Sequence, residues 1–205
     1  MKIAVMGGTF DPIHNGHLIV AEYVRTSLKL DKVVFIPSGV HPFKNNKNIT
    51  EGKKRLDILS LAIKSNEYFD ISAMEINREG ITYTIDTIKE LKKIYKEDEV
   101  YFIIGSDIIF EIEKWKGFEE LVGLCKFILL YRPGKNEDKI ENRIEELKKL
   151  YGLEFTRVEA PLIEISSTEI RERVKEDLSI KYLVPEIVED YIYKHKLYSG
   201  EIVNG

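Results

Sequence analysis

The chain has 205 residues, 43% of them apolar and 32% charged, with a formal net charge of −4. That length holds one medium domain with a real core, and the acidic balance argues against broad nucleic-acid binding, which wants a basic surface; nucleotides need only a local basic pocket. A lone cysteine, Cys125, excludes an intramolecular disulfide, and no apolar run reaches membrane-spanning length. Gly7 and Gly8 interrupt the only early apolar run, so no secretory leader is read and a cytoplasmic protein without a membrane partner is expected.

Taken in order, strand-like runs fall at Lys2–Met6, Lys32–Pro37, Phe69–Glu75, Val100–Gly105, Lys126–Tyr131 and Leu153–Glu159. Helical periodicity lies between most of them. Leu18, Ala21, Val24 and Leu28 form one stripe, with Glu22, Arg25 and Lys29 on the other face. Residues 51–65 carry Leu56, Leu59 and Ile63. Residues 84–95 carry Ile85, Ile88, Leu91 and Ile94, and residues 137–150 carry Ile140, Ile144, Leu147 and Leu150. Such alternation predicts right-handed βαβ crossovers and an α/β fold, Rossmann-like and doubly wound, with a mostly parallel sheet. Ligands then bind beyond the carboxyl ends of the strands, where Gly7, Gly105 and Arg132-Pro133-Gly134 should crowd one edge.

After residue 160 the pattern is chiefly helical, with candidates at 167–176 and 185–196. Pro185 suits the first turn of the last helix. Val184, Ile187, Val188, Tyr191, Ile192 and His195 share one face, so His195 reads as packed at its edge. Apolar neighbours at Leu121, Val122, Leu124, Phe127 and Ile128 make Cys125 a buried thiol rather than a nucleophile. With no repeat, low-complexity stretch or linker, residues 1–205 read as a single domain whose part from about 160 to 205 is a helical subregion.

Two places carry chemistry. The first is Gly7-Gly8-Thr9-Phe10-Asp11-Pro12-Ile13-His14-Asn15-Gly16-His17-Leu18, a strand, a glycine turn and a helix start. Glycines let backbone N–H groups approach an anion, the helix N-terminus adds a positive dipole end, and two imidazoles add donors or charge. The stretch is built to hold phosphates. A Walker A loop is excluded because no Gly-Lys-Ser/Thr follows, and a Gly-x-Gly-x-x-Gly dinucleotide loop is absent. The second is Ile165-Ser166-Ser167-Thr168-Glu169-Ile170-Arg171. Ser166 with Glu169 makes a capping box. Ser167, Thr168 and Arg171 at the same helix end make a second anion site.

The first stretch resembles the His-x-Gly-His signature of the nucleotidyltransferase superfamily, and the second resembles the Ile-Ser-Ser-Thr-x-x-Arg signature of its adenylyltransferase branch. The middle of the chain narrows the resemblance. Glu75 through Thr87, with Arg78, Gly80, Thr82, Tyr83 and Thr84, is similar to the corresponding stretch of nicotinate-nucleotide adenylyltransferases, as are Gly105-Ser106-Asp107, Trp115, Leu183-Val184-Pro185 and Leu197-Tyr198. The resemblance implies transfer of AMP from ATP to nicotinate mononucleotide, forming deamido-NAD and pyrophosphate in NAD biosynthesis. Nicotinamide mononucleotide or phosphopantetheine as acceptor, or a catalytically silent nucleotide sensor on the same fold, remain the alternatives.

On that resemblance, His14, His17, Lys44 and Arg171 are the catalytic residues. Gly7, Gly8, Thr9, Phe10, His14, His17, Gly105, Asp107, Ser166, Ser167 and Arg171 bind ATP. Lys44, Thr82, Tyr83, Thr84, Asp107 and Trp115 bind the acceptor. Trp115 would stack on the nicotinate ring, Thr84 and nearby N–H groups would take its carboxylate, and Asp107 would accept from ribose hydroxyls or cap the helix after it. Where the family commonly shows Pro-Pro-His-Lys, this chain has His41-Pro42-Phe43-Lys44, which leaves His41 open. Lys53 and Lys54 read as a solvated helix face, with Arg55 the exception to watch. Mg²⁺ is implied as the cofactor, held mainly by substrate phosphates with no protein metal cage, and a homodimer is implied by the family alone.

Overall fold

The computed structural model describes residues 1–40, 49–131, 137–161 and 163–199. Six strands form one sheet: β1 (Lys2–Gly8), β2 (Lys32–Pro37), β3 (Phe69–Ile71), β4 (Glu99–Gly105), β5 (Lys126–Tyr131) and β6 (Phe155–Glu159). Every pairing is parallel and the order is β3-β2-β1-β4-β5-β6. The order reverses at β1, which opens a crevice beyond the carboxyl ends of β1 and β4.

Seven helices cover both faces among the described residues: α1 (Asn15–Ser27), α2 (Gly52–Ile63), α3 (Thr84–Ile94), α4 (Phe118–Leu124), α5 (Glu137–Tyr151), α6 (Ser167–Lys175) and α7 (Glu186–Lys194). Side chains alternate across a strand, so each central strand feeds two cores. Ala4, Val33, Phe35 and Ile103 face α1, α2, α6 and α7, which contribute Val24, Ile58, Ile170 and Val188. Ile3, Val5, Phe102 and Leu129 face α3, α4 and α5, which contribute Ile88, Leu121 and Ile144. The helical C-terminal segment thus closes the same face as α1 and brings residues near 170, 183 and 198 toward the end of β1.

The expected strands and helices form, with local corrections. β3 stops at Ile71, because residues 72–79 turn to pack against the segment after β2. A 3-10 turn at Ser106–Phe110, another at Ile112–Lys114, and α4 occupy the stretch between Gly105 and Cys125, where the periodicity announced no helix. Ile94 and Leu150 end their stripes 61% and 58% exposed, since the last turn of each helix runs past the sheet. Ile187 and His195 are exposed as well, and at the edge of that face His195 stacks on Tyr191 with ring centroids 4.1 Å apart. Cys125 is buried as expected, and burial pushes its thiol up to about 12, far from a reactive thiolate. No helix among the described residues is long and apolar enough to cross a membrane.

Candidate active site

The phosphate-loop residues collect at the carboxyl end of β1. Gly8 closes the strand, and a Cβ there would come within 3.0 Å of the Phe10 ring. Phe10 adopts a left-handed backbone (φ 48°), an uncommon state for an aromatic residue. It is held there by burial of its ring, 2% exposed and edge-on to Phe35 and His17. Thr9 follows the strand directly, and its carbonyl is taken by Arg55 at 2.7 Å.

His14 immediately precedes α1 and His17 sits in its first turn. Their rings stack with centroids 3.7 Å apart. A Cβ on Gly16 would lie 3.0 Å from His14 Nδ1, so the glycine leaves room for the imidazole. The His14 backbone N–H donates to His17 Nδ1 at 3.4 Å. That bond assigns the His17 proton to Nε2, where it is free to donate to a ligand. His14 is 6% exposed and its Nδ1 has no partner, an orphaned polar atom whose missing partner a bound anion or its hydrogen-bonding shell can supply. Burial pushes the His14 imidazole down to about 4 and the His17 imidazole to about 3, the latter also repelled by His14. The free protein therefore presents two neutral imidazoles at neutral pH, donors rather than charges.

The second signature meets the first across 155 residues and more. Ser166 caps α6 by accepting the Glu169 N–H at 3.1 Å. The Ser167 hydroxyl donates to the Pro12 carbonyl at 2.8 Å. Arg171 donates through Nη1 to the Asp11 carbonyl at 2.7 Å and through Nη2 to the Thr168 hydroxyl at 3.2 Å. Its other N–H groups remain available. Part of the expected anion-binding set is thus engaged in shaping the loop itself. The C-terminal segment adds to this grip. Asn15 donates from its backbone to Leu183 at 2.9 Å and from its side chain to Tyr182 at 2.7 Å. The Tyr198 hydroxyl donates to the buried Asp11 carboxylate at 2.8 Å, which also receives the Thr50 N–H at 3.1 Å. Burial and then Asp11 raise the Tyr198 phenol above its ordinary value, so it stays a donor.

On the other side lie the residues expected to meet the acceptor. Thr84 opens α3 and Tyr83 precedes it. The Thr84 hydroxyl makes no hydrogen bond to a described residue. Thr82 is buried, and its hydroxyl and N–H both donate to the Val40 carbonyl, at 3.3 and 2.9 Å, so it ties the acceptor segment to the loop after β2. Arg78 and Glu75 meet on the Thr87 hydroxyl, at 3.1 and 2.7 Å, and Arg78 also pairs with Glu90 at 2.7 Å. Together they fasten residues 75–83 to α3. Trp115 is half-buried and edge-on to Phe102 at 6.0 Å, while Lys116 lies 4.2 Å over the Tyr83 ring. Asp107 is exposed within the first turn of its 3-10 helix, without a side-chain hydrogen bond to a described residue, and Gly105 rather than Asp107 is the cap. A Cβ at Gly105 would meet nothing within 4 Å, so packing does not demand that glycine. His41 and Lys44 lie outside the described residues, as does Arg132-Pro133-Gly134.

Two features escaped the sequence, and a third, Arg55, was marked there only as the exception in a solvated helix face. Ser38 is 8% exposed with an unpartnered hydroxyl. Gly39 admits no side chain, because a Cβ would lie 2.2 Å from the Glu75 carbonyl. Arg55 is buried beneath the loop, while Lys53 is exposed as expected and Lys54 is half-buried. Its only signal was an arginine on the inward stripe beside Leu59.

Known proteins match this chain in sequence and in fold. A cytidylyltransferase-like family model matches residues 5–173. A probable nicotinate-nucleotide adenylyltransferase of Thermoanaerobacter sp. (strain X514) is 48% identical, over 100% of this chain and 98% of its own length. One of Moorella thermoacetica is 44% identical over 96% of this chain and 91% of its own. Among solved structures, Plasmodium falciparum nicotinic acid mononucleotide adenylyltransferase complexed with NaAD shares the fold, with a TM-score of 0.76, 24% identity, and coverage of 96% of this chain and 97% of that one. With both signatures joined at one strand end and relatives of 48% and 44% identity matched over 98% and 91% of their length, the chain belongs to the cytidylyltransferase-like family and, within it, to the nicotinate-nucleotide adenylyltransferases.

Proposed function

We propose that the chain transfers AMP from ATP to nicotinate mononucleotide, giving deamido-NAD and pyrophosphate. The observation that carries the reading is the pair of stacked, neutral imidazoles at the end of β1, one with a buried unpartnered nitrogen and one with its proton directed to Nε2. The acceptor phosphate is already an anion near neutral pH and attacks the α-phosphorus of ATP directly. The bond from that phosphorus to the bridging oxygen breaks, and pyrophosphate leaves with the electron pair. No general base and no covalent enzyme intermediate are needed, so catalysis is positioning plus stabilisation of moving charge.

His14 and His17 hold the phosphate chain, with Gly7, Gly8, Thr9 and Phe10 offering the backbone around it. Ser166, Ser167 and Arg171 stand at the leaving-group side, two of them through the loop they fix. Lys44 is assigned to the same charge. Thr84 with the free N–H groups of the first turn of α3 takes the nicotinate carboxylate, beside Tyr83 and the Thr82 tie. Trp115 stacks on the ring, and Asp107 and Gly105 line the ribose. When bound, Mg²⁺ would supply charge neutralisation at the substrate phosphates. The ion would rest mainly on substrate phosphates and water.

Pyrophosphate release from ATP, assayed with nicotinate mononucleotide, nicotinamide mononucleotide and phosphopantetheine in turn, tests the reading. The acid is expected to be the best acceptor. Release with another acceptor alone would reassign the substrate, and none with any acceptor would point to a nucleotide sensor.

A further inference from the structure

Arg55 lies in the first turn of α2 and is 3% exposed. Its guanidinium donates to carbonyl oxygens in three separate segments: Nη1 to Thr9 at 2.7 Å, Nη2 to Ser38 at 2.8 Å, and Nε to Thr50 at 2.9 Å. All three bonds go to backbone dipoles and none to a carboxylate. A buried cation held in this way is a costly means of filling space. Its geometry shows what it accomplishes.

A trans peptide carries its C=O and its N–H on opposite sides. Turning the Thr9 and Ser38 carbonyls toward Arg55 therefore turns the Phe10 and Gly39 N–H groups away from it. No described residue accepts from either N–H. The two peptides follow adjacent strand ends, since Gly8 is in register with Pro37 and the Ser38 N–H donates to the Gly8 carbonyl at 2.8 Å. One side chain thus sets two peptide planes, in the loops after β1 and after β2, with their donors directed out of the core.

We propose that Arg55 is a positioning residue for nucleotidyl transfer, holding the Phe10 and Gly39 N–H groups as preset anion donors without itself touching substrate. The inference rests on the AMP-transfer reading. A lysine in its place keeps the charge and loses the planar fork that reaches three carbonyls at once.

The test follows the Phe10 and Gly39 amide resonances of the parent protein during titration with a non-hydrolysable ATP analogue and then with nicotinate mononucleotide. The same titrations are run on Arg55→Lys and on Arg55→Met, which keeps the stem volume without the charge. Turnover is measured in parallel per folded molecule, well below each unfolding temperature. Both parent amides should move on titration. In a folded variant their movement should shrink, and kcat should fall on the order of 10–100-fold with a smaller change in the KM for ATP. A purely structural arginine would lower stability and leave kcat per folded molecule unchanged, and that result in either variant overturns the proposal. Parent amides that stay still overturn it whether or not a variant folds. A parent that releases no pyrophosphate with nicotinate mononucleotide instead removes the functional reading beneath it.

Discussion

The two sides of the crevice are held by different means. At the end of β1, Asp11 is fixed through its carboxylate by Tyr198 and Thr50 and through its carbonyl by Arg171, Pro12 by Ser167, and Thr9 by Arg55. These partners come from α2 and the loop before it, α6 and the segment after α7, so the loop is gripped from elements far apart in the chain. Near α3 and the end of β4, the fastening runs through Arg78, Glu75 and Thr87, behind the residues expected to meet the acceptor. Thr84, Asp107 and Trp115 are half-buried or exposed: Thr84 and Asp107 make no side-chain hydrogen bond to a described residue, and Trp115 meets Phe102 edge-on. A polyphosphate with charge moving along it gains most from donors that need no reorganisation during the reaction. A flat acceptor that must enter and leave is served by a face whose groups wait for it.

Substitutions should break this contrast unequally. The largest effect belongs to the preset side. His17→Ala removes a donor that strengthens as charge develops, and should lower kcat by about 10²–10³ with little change in acceptor KM, as read by steady-state kinetics on both substrates. A folded variant of near-normal kcat would take His17 out of the mechanism.

The acceptor side should respond through selectivity instead. Neutral donors bind an anion more strongly than a neutral carbonyl, and the amide NH₂ points donors at donors, a mismatch of about 1–3 kcal/mol. The parent enzyme should therefore prefer the acid over the amide by roughly ten- to hundredfold in kcat/KM. Thr84→Ala should shrink that ratio while sparing turnover of the amide. Equal use of both acceptors by the parent would dismiss the assignment.

Acid should loosen the histidine side first. His14 and His17 titrate in the folded protein at about 4 and about 3, below the ordinary 6.5. The unfolded chain thus binds more protons between those values. The stability they confer is full above about pH 6.5 and is lost as the pH falls toward the folded values. Melting temperature should drop by several degrees on the order of one kcal/mol per few degrees between pH 7 and pH 4.5, and His14→Gln should flatten that slope. A slope unaltered in the variant would show that other groups set it.

The smallest expected effect is that of Tyr198→Phe, which deletes one buried hydrogen bond and costs about 1–2 kcal/mol. Thermal unfolding measures it directly. A loss confined to stability would mean that the other four contacts hold the loop without it, whereas a matching fall in kcat would make the C-terminal segment part of the preset side.

How far the sequence could be read follows from the range of each signal. Gly7-Gly8, His14 and His17 lie within one turn of chain, and their strand, loop and helix are a local pattern. The Ser166 cap is likewise a three-residue affair, and it forms as expected. Arg55 was visible only as one basic residue among three, because its partners at Thr9 and Ser38 stand 46 and 17 positions away. Ser38 resembled any loop serine until burial left its hydroxyl unpartnered. Helix ends misled for a related reason: Ile94 and Leu150 keep the period of their stripes but run beyond the sheet that would cover them.

By itself, the sequence determined the alternation of strands and helices, the parallel sheet and the strand edge at which the proposed phosphate site lies, because apolar period and glycine turns act over a few residues. It also determined the family, through two signatures in order. Only the tertiary structure decided which polar groups of these stretches hold the loops and which are left open. Ser167 and Thr82 donate to carbonyls, Asp11 is locked by Tyr198, and His14 is left with an open nitrogen. Hydrogen-bond partners drawn from segments more than a hundred residues apart leave no periodic trace in the chain, and they are fixed only when the two faces of the sheet are packed.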